Sequence, residues 1–272
     1  MKFMDIELAR RVEMAEAVAM RACAEAALRL RPNYPIAIIE IGGGIAAFAG
    51  VDSPITQAIG VGLDGAVSIE DLDRLEDFFR SRGAAVALEI CPLVDLSLYQ
   101  TLAKRGYQLA EVSNVMVRDL ESGAAGEFEE KSPEVVTRAA AAHEADLWTL
   151  TVAQGFAEHF PVTQSILDVM SGFFHRESAS SVLAFVNGEV AGGGAVAVHK
   201  GVGGLFGAST LPAFRRRGVQ TALLAARLTW ACDHQCDVAV SITQPGSISQ
   251  RNIERFGFRV AYTRTKLVRE WA

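Results

Sequence analysis

An internal repeat constrains this chain more than any other feature. Setting Gly106 against Gly257, an offset of 151, aligns residues 85–120 without a gap onto residues 236–271. In that register Gly106-Tyr107 meets Gly257-Phe258, Ala110 meets Ala261, and Val117-Arg118-Asp119 meets Val268-Arg269-Glu270. Both copies read as strand, short helix, Gly-aromatic turn and strand. A single repeat of this length marks a duplicated domain, because solenoid periods of roughly 20–50 residues are far shorter.

Residues 121–132, ESGAAGEFEEKS, are small, acidic and without apolar periodicity, and read as a linker. The expected organisation is a first unit at 1–120, this linker, and a second unit at 133–272. The chain has 272 residues, 50% of them hydrophobic, which is material enough for two cores. Its net charge of -6 gives no broad cationic surface for counterion release, so no nucleic-acid partner is expected. Segment 1–30 intersperses acids and arginines and reads as an amphipathic helix rather than a secretory signal. No stretch approaches the ~18 consecutive apolar residues of a membrane span. A soluble, cytoplasmic protein with no membrane partner is the expectation, with a homodimer as a candidate assembly. Four scattered cysteines, Cys23, Cys91, Cys232 and Cys236, fit a reducing compartment. Cys232, His234 and Cys236 lie close together, but no second cluster completes a four-ligand zinc site, so no metal is expected.

In the second unit, 134–140 has strand character and 143–158 the apolar spacing of a helix through Leu147, Leu150, Val152 and Phe156. A further helix is expected over 165–176. Residues 181–186 and 190–199 flank Asn187-Gly188, a strong hairpin signal. Strand 204–210 precedes a helix with Val219, Leu223, Ala226 and Trp230 on one face. Strand 238–242, helix 248–256 and strand 258–268 complete the order βααβββαβαβ. The expected fold is α/β (α+β), with two units, each a mixed, mostly antiparallel sheet flanked by helices.

The chemistry is carried by GLFGASTLPAFRRRGVQTALLAARL, residues 204–228. A strand leads into a loop with Arg215, Arg216, Arg217 and Gly218, directly before a helix start. Unpaired N–H groups at a helix N-terminus, here Val219, Gln220 and Thr221, suit such a loop to a pyrophosphate. Gly218 lets the backbone approach closely, and the arginines add charge-assisted hydrogen bonds. As a mere solvated run, three arginines would sit badly at a helix start, whose dipole already supplies positive potential.

This stretch resembles the GNAT superfamily of N-acetyltransferases, whose signature runs Gln or Arg, two residues, Gly, one residue, Gly or Ala. Arg215 and Gly218 match the first two fixed positions, and Gln220 departs from the third. SISQRNIERFGF, residues 247–258, resembles the following helix with its Gly-Phe ending. The resemblance implies tandem GNAT-like units and an N-acetyltransferase that uses acetyl-coenzyme A as co-substrate and an unidentified amine as acceptor, by direct attack in a ternary complex. It places coenzyme contacts on Ser209, Thr210, Leu211, Arg215, Arg216, Arg217, Gly218, Val219, Gln220, Thr221 and Asn252. The family often carries a tyrosine four residues before the Gly-Phe pair, proposed to protonate the thiolate. Ile253 occupies that position here, which passes the role to Ser249, Asn252 or water. Glu158 and His159 are the candidate bases, with Phe156 and Phe160 as pocket walls, and Glu40 could reach the site only if the units pack face to face. Ser247 and Gln250 have the spacing of a helix cap.

The corresponding stretch of the first unit, residues 60–79, has no basic loop. Ser68 and Asp71 resemble a capping box there, with Asp64, Glu70 and Asp73 nearby, so side chains already fill the anion seat. The first unit therefore reads as a copy that lost coenzyme binding. The Ile41 to Gly44 run lacks dinucleotide-fingerprint spacing and reads as a hairpin turn. A non-catalytic acyl-coenzyme A binding or sensing module is the alternative reading, motivated by Ile253 and the degenerate first unit.

Overall fold

The computed structural model describes residues 4–51, 53–120, 128, 134–157 and 161–271. The first unit runs α1 (Ile6–Leu30), β1 (Ala37–Ile41), β2 (Gly44–Phe48), β3 (Gln57–Ile59), α2 (Ile69–Arg80), β4 (Val86–Ile90), α3 (Leu96–Lys104) and β5 (Gln108–Asp119). The second runs β6 (Val135–Ala139), α4 (Ala145–Gly155), α5 (Gln164–His175), β7 (Ala179–Val186), β8 (Glu189–His199), β9 (Val202–Thr210), α6 (Val219–Asp233), β10 (Val238–Thr243), α7 (Ile248–Glu254) and β11 (Arg259–Arg269). The expected order of the second unit is the observed one. The expected helix over 143–158 divides into a 3-10 turn, Ala142–Glu144, and α4.

Helix starts follow their capping residues. Asp5 accepts from Leu8 N at 2.9 Å, Ser68 from Asp71 N at 3.0 Å and Ser247 from Gln250 N at 3.1 Å. Asn187 and Gly188 take φ of 52° and 82° in the β7–β8 turn, as a two-residue hairpin of this type requires. The Gly42-Gly43 pair makes the β1–β2 hairpin turn. Among the described residues no helix is long and apolar enough to cross a membrane.

The eleven strands among the described residues form one sheet, in the order β1-β2-β3-β4-β11-β5-β10-β9-β8-β7-β6. The two repeats exchange their last strands: β11 of the second unit sits between β4 and β5, and β5 of the first sits between β11 and β10. All pairings are antiparallel except β3 with β4 and β9 with β10, one parallel pair in each unit. The central β5–β11 ladder carries two register shifts, which leave Ala261 and Ala110 as the extra residues. These two alanines are equivalent in the repeat.

Helix α1 belongs to both halves. Its Ala17, Met20, Cys23 and Ala24 share a core cluster with Ile45, Ala47 and Ile59 of the first unit and with Trp148, Val152, Val169 and Leu183 of the second. Such all-round burial explains why α1 is rich in alanine on more than one face. Of the expected linker at 121–132, only Phe128 is described; it is buried beneath the Arg118 guanidinium, 4.5 Å from the ring centroid. A charged cluster is also buried where β11 enters the first unit. Arg264 lies 3.3 Å from Glu13, 2.6 Å from Glu16 and 3.1 Å from Glu89, and Tyr262 donates to Glu13 at 2.8 Å.

Candidate functional site

The parallel pair β9 and β10 is joined only at Val202↔Val238, Gly203↔Ala239 and Gly204↔Val240. Beyond Gly204 β9 continues to Thr210 against β8, while β10 continues to Thr243 against β5. The two strands therefore part into a wedge. On its β8 side β9 bulges: Ala195 pairs with Phe206 and Gly193 with Ser209, so Gly207 and Ala208 face Gly194 alone. Gly207 has φ of 53° in the strand, a conformation that favours glycine, and the bulge turns local N–H and C=O groups away from the ladder. Arg227 of α6 reaches beneath the bulge and bonds the carbonyls of Leu223 at 2.9 Å and of Ala195 and Phe206 at 3.5 Å.

Past Thr210, Leu211 N donates to Ala191 O at 2.9 Å, and a 3-10 turn, Pro212–Phe214, leads to Arg215, Arg216 and Arg217, all exposed. Gly218 is the N-cap residue of α6, with φ of 84° and no side chain capping the helix. The first N–H groups of α6, at Val219, Gln220 and Thr221, thus have no side chain capping them. Arg217 lies 3.5 Å from Glu134 and over the Phe214 ring at 5.9 Å. Below the loop, Ser209 Oγ donates to Val152 O at 2.9 Å, which ties β9 to α4. The uncapped helix start, the three arginines and the wedge beside them fit a pyrophosphate with an extended chain attached.

Helix α7 closes one side. Asn252 Nδ2 donates to Gln220 Oε1 at 2.6 Å, so the departure from the signature at Gln220 is matched by a partner on the neighbouring helix. Gln250 Oε1 accepts from Asn114 Nδ2 at 3.2 Å and Gly246 N at 2.9 Å, and Thr263 donates to Asn114 Oδ1 at 2.8 Å. Strand β5 of the first unit thereby lends Asn114 to the end of the wedge. Ile253 is buried with Phe258 and Met116 and supplies core, not chemistry. Ser249 lies exposed on α7. Glu158, His159 and Phe160 lie outside the described residues, and Phe156 is partly buried against the shared core cluster.

The first unit presents the contrasting case. Strand β3 pairs with β4 at only Ala58↔Leu88 and Ile59↔Glu89 and then ends, so no long strand runs past the parting. The start of α2 is capped by Ser68, and Asp64 pairs with Arg10 at 2.5 Å. Glu40 bonds Arg21 of α1 at 2.6 Å and lines a first-unit cavity of about 460 Å³ with Asp64, Asp71 and Arg74. Among the described residues no group of three or more His, Cys, Asp or Glu could hold a metal. His234 instead stacks on Trp230 at 3.7 Å.

Residues 144–258 match the Acetyltransferase (GNAT) family. Among solved structures, a GCN5-related N-acetyltransferase from Kribbella flavida is 17% identical with a TM-score of 0.65, and the match covers 95% of this chain and 98% of that one. A tandem GNAT protein from the clavulanic acid biosynthesis pathway is 13% identical with a TM-score of 0.61, covering 97% and 94%. A GCN5-related N-acetyltransferase from Sphaerobacter thermophilus is 16% identical with a TM-score of 0.57, covering 98% and 94%. At these identities the likeness is one of fold. No curated protein matches the chain.

Proposed function

From the match of residues 144–258 to the GNAT acetyltransferase family, we propose that the chain transfers an acetyl group from acetyl-coenzyme A to an amine, with the second unit alone loaded. The fold is one that supports acyl transfer. The observation that carries the finer reading is the uncapped start of α6, with Arg215, Arg216, Arg217 and Gly218, beside the β9–β10 wedge. Neither feature has a counterpart at α2 and β3.

Val219, Gln220 and Thr221 would donate N–H groups to the pyrophosphate, and the arginines would neutralise it. Ser209, Thr210 and Leu211 would line the extended arm through backbone groups. Asn252, clasped to Gln220, holds the third position of the signature in place. Bound acetyl-coenzyme A supplies a thioester whose carbonyl accepts a neutral amine. An aliphatic amine titrates near ~10, so a base must take its proton; Glu158 or His159 is our candidate, with Ser249 a candidate for returning one to sulfur. Backbone N–H groups released by the bulge at Gly207 and Ala208 would face the carbonyl oxygen. The four free thiols suit a reducing cytoplasm.

The buried, apolar Ile253 favours a second reading, a coenzyme-binding module without turnover. Release of free thiol from acetyl-coenzyme A with a panel of amines separates the two. Amine-dependent release above hydrolysis supports transfer, whereas coenzyme binding without release supports sensing. Absence of binding would refute both.

A further inference from the structure

Three buried arginines in this fold are treated differently. Arg264, 2% exposed, has three carboxylates around it. Arg227, 4% exposed, bonds only carbonyl oxygens. Arg176, 5% exposed at the end of α5, has no hydrogen-bond partner among the described residues for any of its three guanidinium nitrogens. Its neighbours are the rings of Phe173 and Phe206, 5.1 and 4.6 Å from the guanidinium carbon, which stack on each other at 6.1 Å. The Cys23 thiol, also near, is pushed up to about 12 by burial and supplies no charge at neutral pH. Burial lowers Arg176 to about 10, which still leaves it charged. Two ring faces attract a cation but satisfy none of the five N–H donors of a guanidinium, and an unpaired buried charge is costly.

The place of this charge matters. Phe206 is the second residue beyond Gly204, where β9 parts from β10, and it directly precedes the bulge. Arg176 covers its ring on the α5 side, and Arg227 holds its carbonyl from α6. Two guanidiniums with no carboxylate partner among the described residues therefore flank the strand beside which the acyl group would lie. The scarcity of partners is local, since the chain has 32 acids against 26 lysines and arginines. Phe173 and Phe206, whose rings cover the fork of Arg176, are only half-buried. A planar guanidinium with free paired donors matches a carboxylate.

We propose that Arg176 anchors a carboxylate of the substrate, carried either by the acceptor amine or by the far end of the transferred acyl chain. This rests on the acyl-transfer reading and narrows its substrate class to carboxylate-bearing ones. Binding to the full chain is measured by calorimetry in two arms. In the first, with coenzyme A present, amino acids are compared with the amines that lack only the carboxylate, such as phenylalanine with phenethylamine and lysine with cadaverine. In the second, succinyl-coenzyme A is compared with acetyl-coenzyme A. The carboxylate-bearing member of one arm should bind about tenfold or more tightly, and the preference should collapse in Arg176→Met with affinity for acetyl-coenzyme A unchanged. Preference in the first arm assigns the carboxylate to the acceptor, and in the second to the acyl chain. Absence of preference in both arms, or preference that survives in Arg176→Met, would overturn the proposal. Should Arg176→Met not fold, Arg176→Lys, which keeps the charge and loses the fork, should weaken the preference instead. Loss of acetyl-coenzyme A binding by the unaltered chain would count against the acyl-transfer reading itself.

Discussion

Ser113 and Arg264 face each other across β5 and β11, and each holds in its own unit the position that the other holds in its own, 151 residues away. The local symmetry of the sheet passes through this pair, with the bulged Ala110 and Ala261 placed evenly on either side. Strand exchange has let the two positions diverge. Arg264 is delivered into the first unit, where Glu13 and Glu16 of α1 and Glu89 of β4 surround it, and it joins the duplicated halves electrostatically.

Arg264→Ala should therefore destabilise the chain by about 3–5 kcal/mol, because it leaves buried carboxylates without a counter-charge. Ser113→Ala at the equivalent position should cost about 1 kcal/mol or less. Urea denaturation of both variants measures this. A loss below about 1 kcal/mol for Arg264→Ala would mean that the cluster does not hold the units together.

The same cluster sets a pH dependence. Burial raises the pKa of Glu13 despite the opposing charge of Arg264, so the folded state holds that proton more tightly than the unfolded chain. Its contribution to stability is fully present below the ordinary carboxyl value of 4.5 and is lost as pH rises through the raised folded value. Glu13→Gln, which can still accept from Tyr262, removes this loss. Referenced to the parent, the variant should gain stability as pH rises above 4.5. A stability difference that stays flat with pH, or falls, would show that the site holds an ionised carboxylate.

At the proposed coenzyme seat, Gly218 combines φ of 84° with an open helix start. Gly218→Ala should cost about 1–2 kcal/mol of stability through backbone strain alone. Gly218→Glu adds bulk and negative charge and should abolish the thermal stabilisation by acetyl-coenzyme A. In the parent that stabilisation should be ~2.7 kcal/mol at a hundredfold excess over the dissociation constant. Equal melting shifts in parent and Gly218→Glu would move the phosphate site elsewhere.

Much of the second unit is legible in the sequence because its signals are local. Asn187-Gly188 dictates its own turn, Ser247 caps its own helix, and the apolar spacing at Val219 and Leu223 marks the buried face of α6. The strand exchange is not legible. Residues 108–119 and 259–269 share a pattern, so neither segment announces whose sheet it completes, and the partners of β11 on α1 and β4 become known only in the fold. Phe128 is equally opaque, an isolated aromatic in an acidic stretch that reads as linker yet is buried. Arg227 leaves one trace, since it falls four residues after Leu223 on the buried face of α6. Arg176 leaves none, because the rings that cover it come from two separate elements.

The central claim, that only the second unit binds coenzyme, is tested most directly by titration calorimetry with acetyl-coenzyme A. One molecule should bind per chain. Replacing Arg215 and Arg217 by alanine should weaken that binding by several kcal/mol if both contacts form, at ~1.5–3 kcal/mol each, while neutralising Asp64 and Glu70 should change it little. Two molecules bound per chain, or undiminished binding after the double arginine replacement, would contradict the assignment.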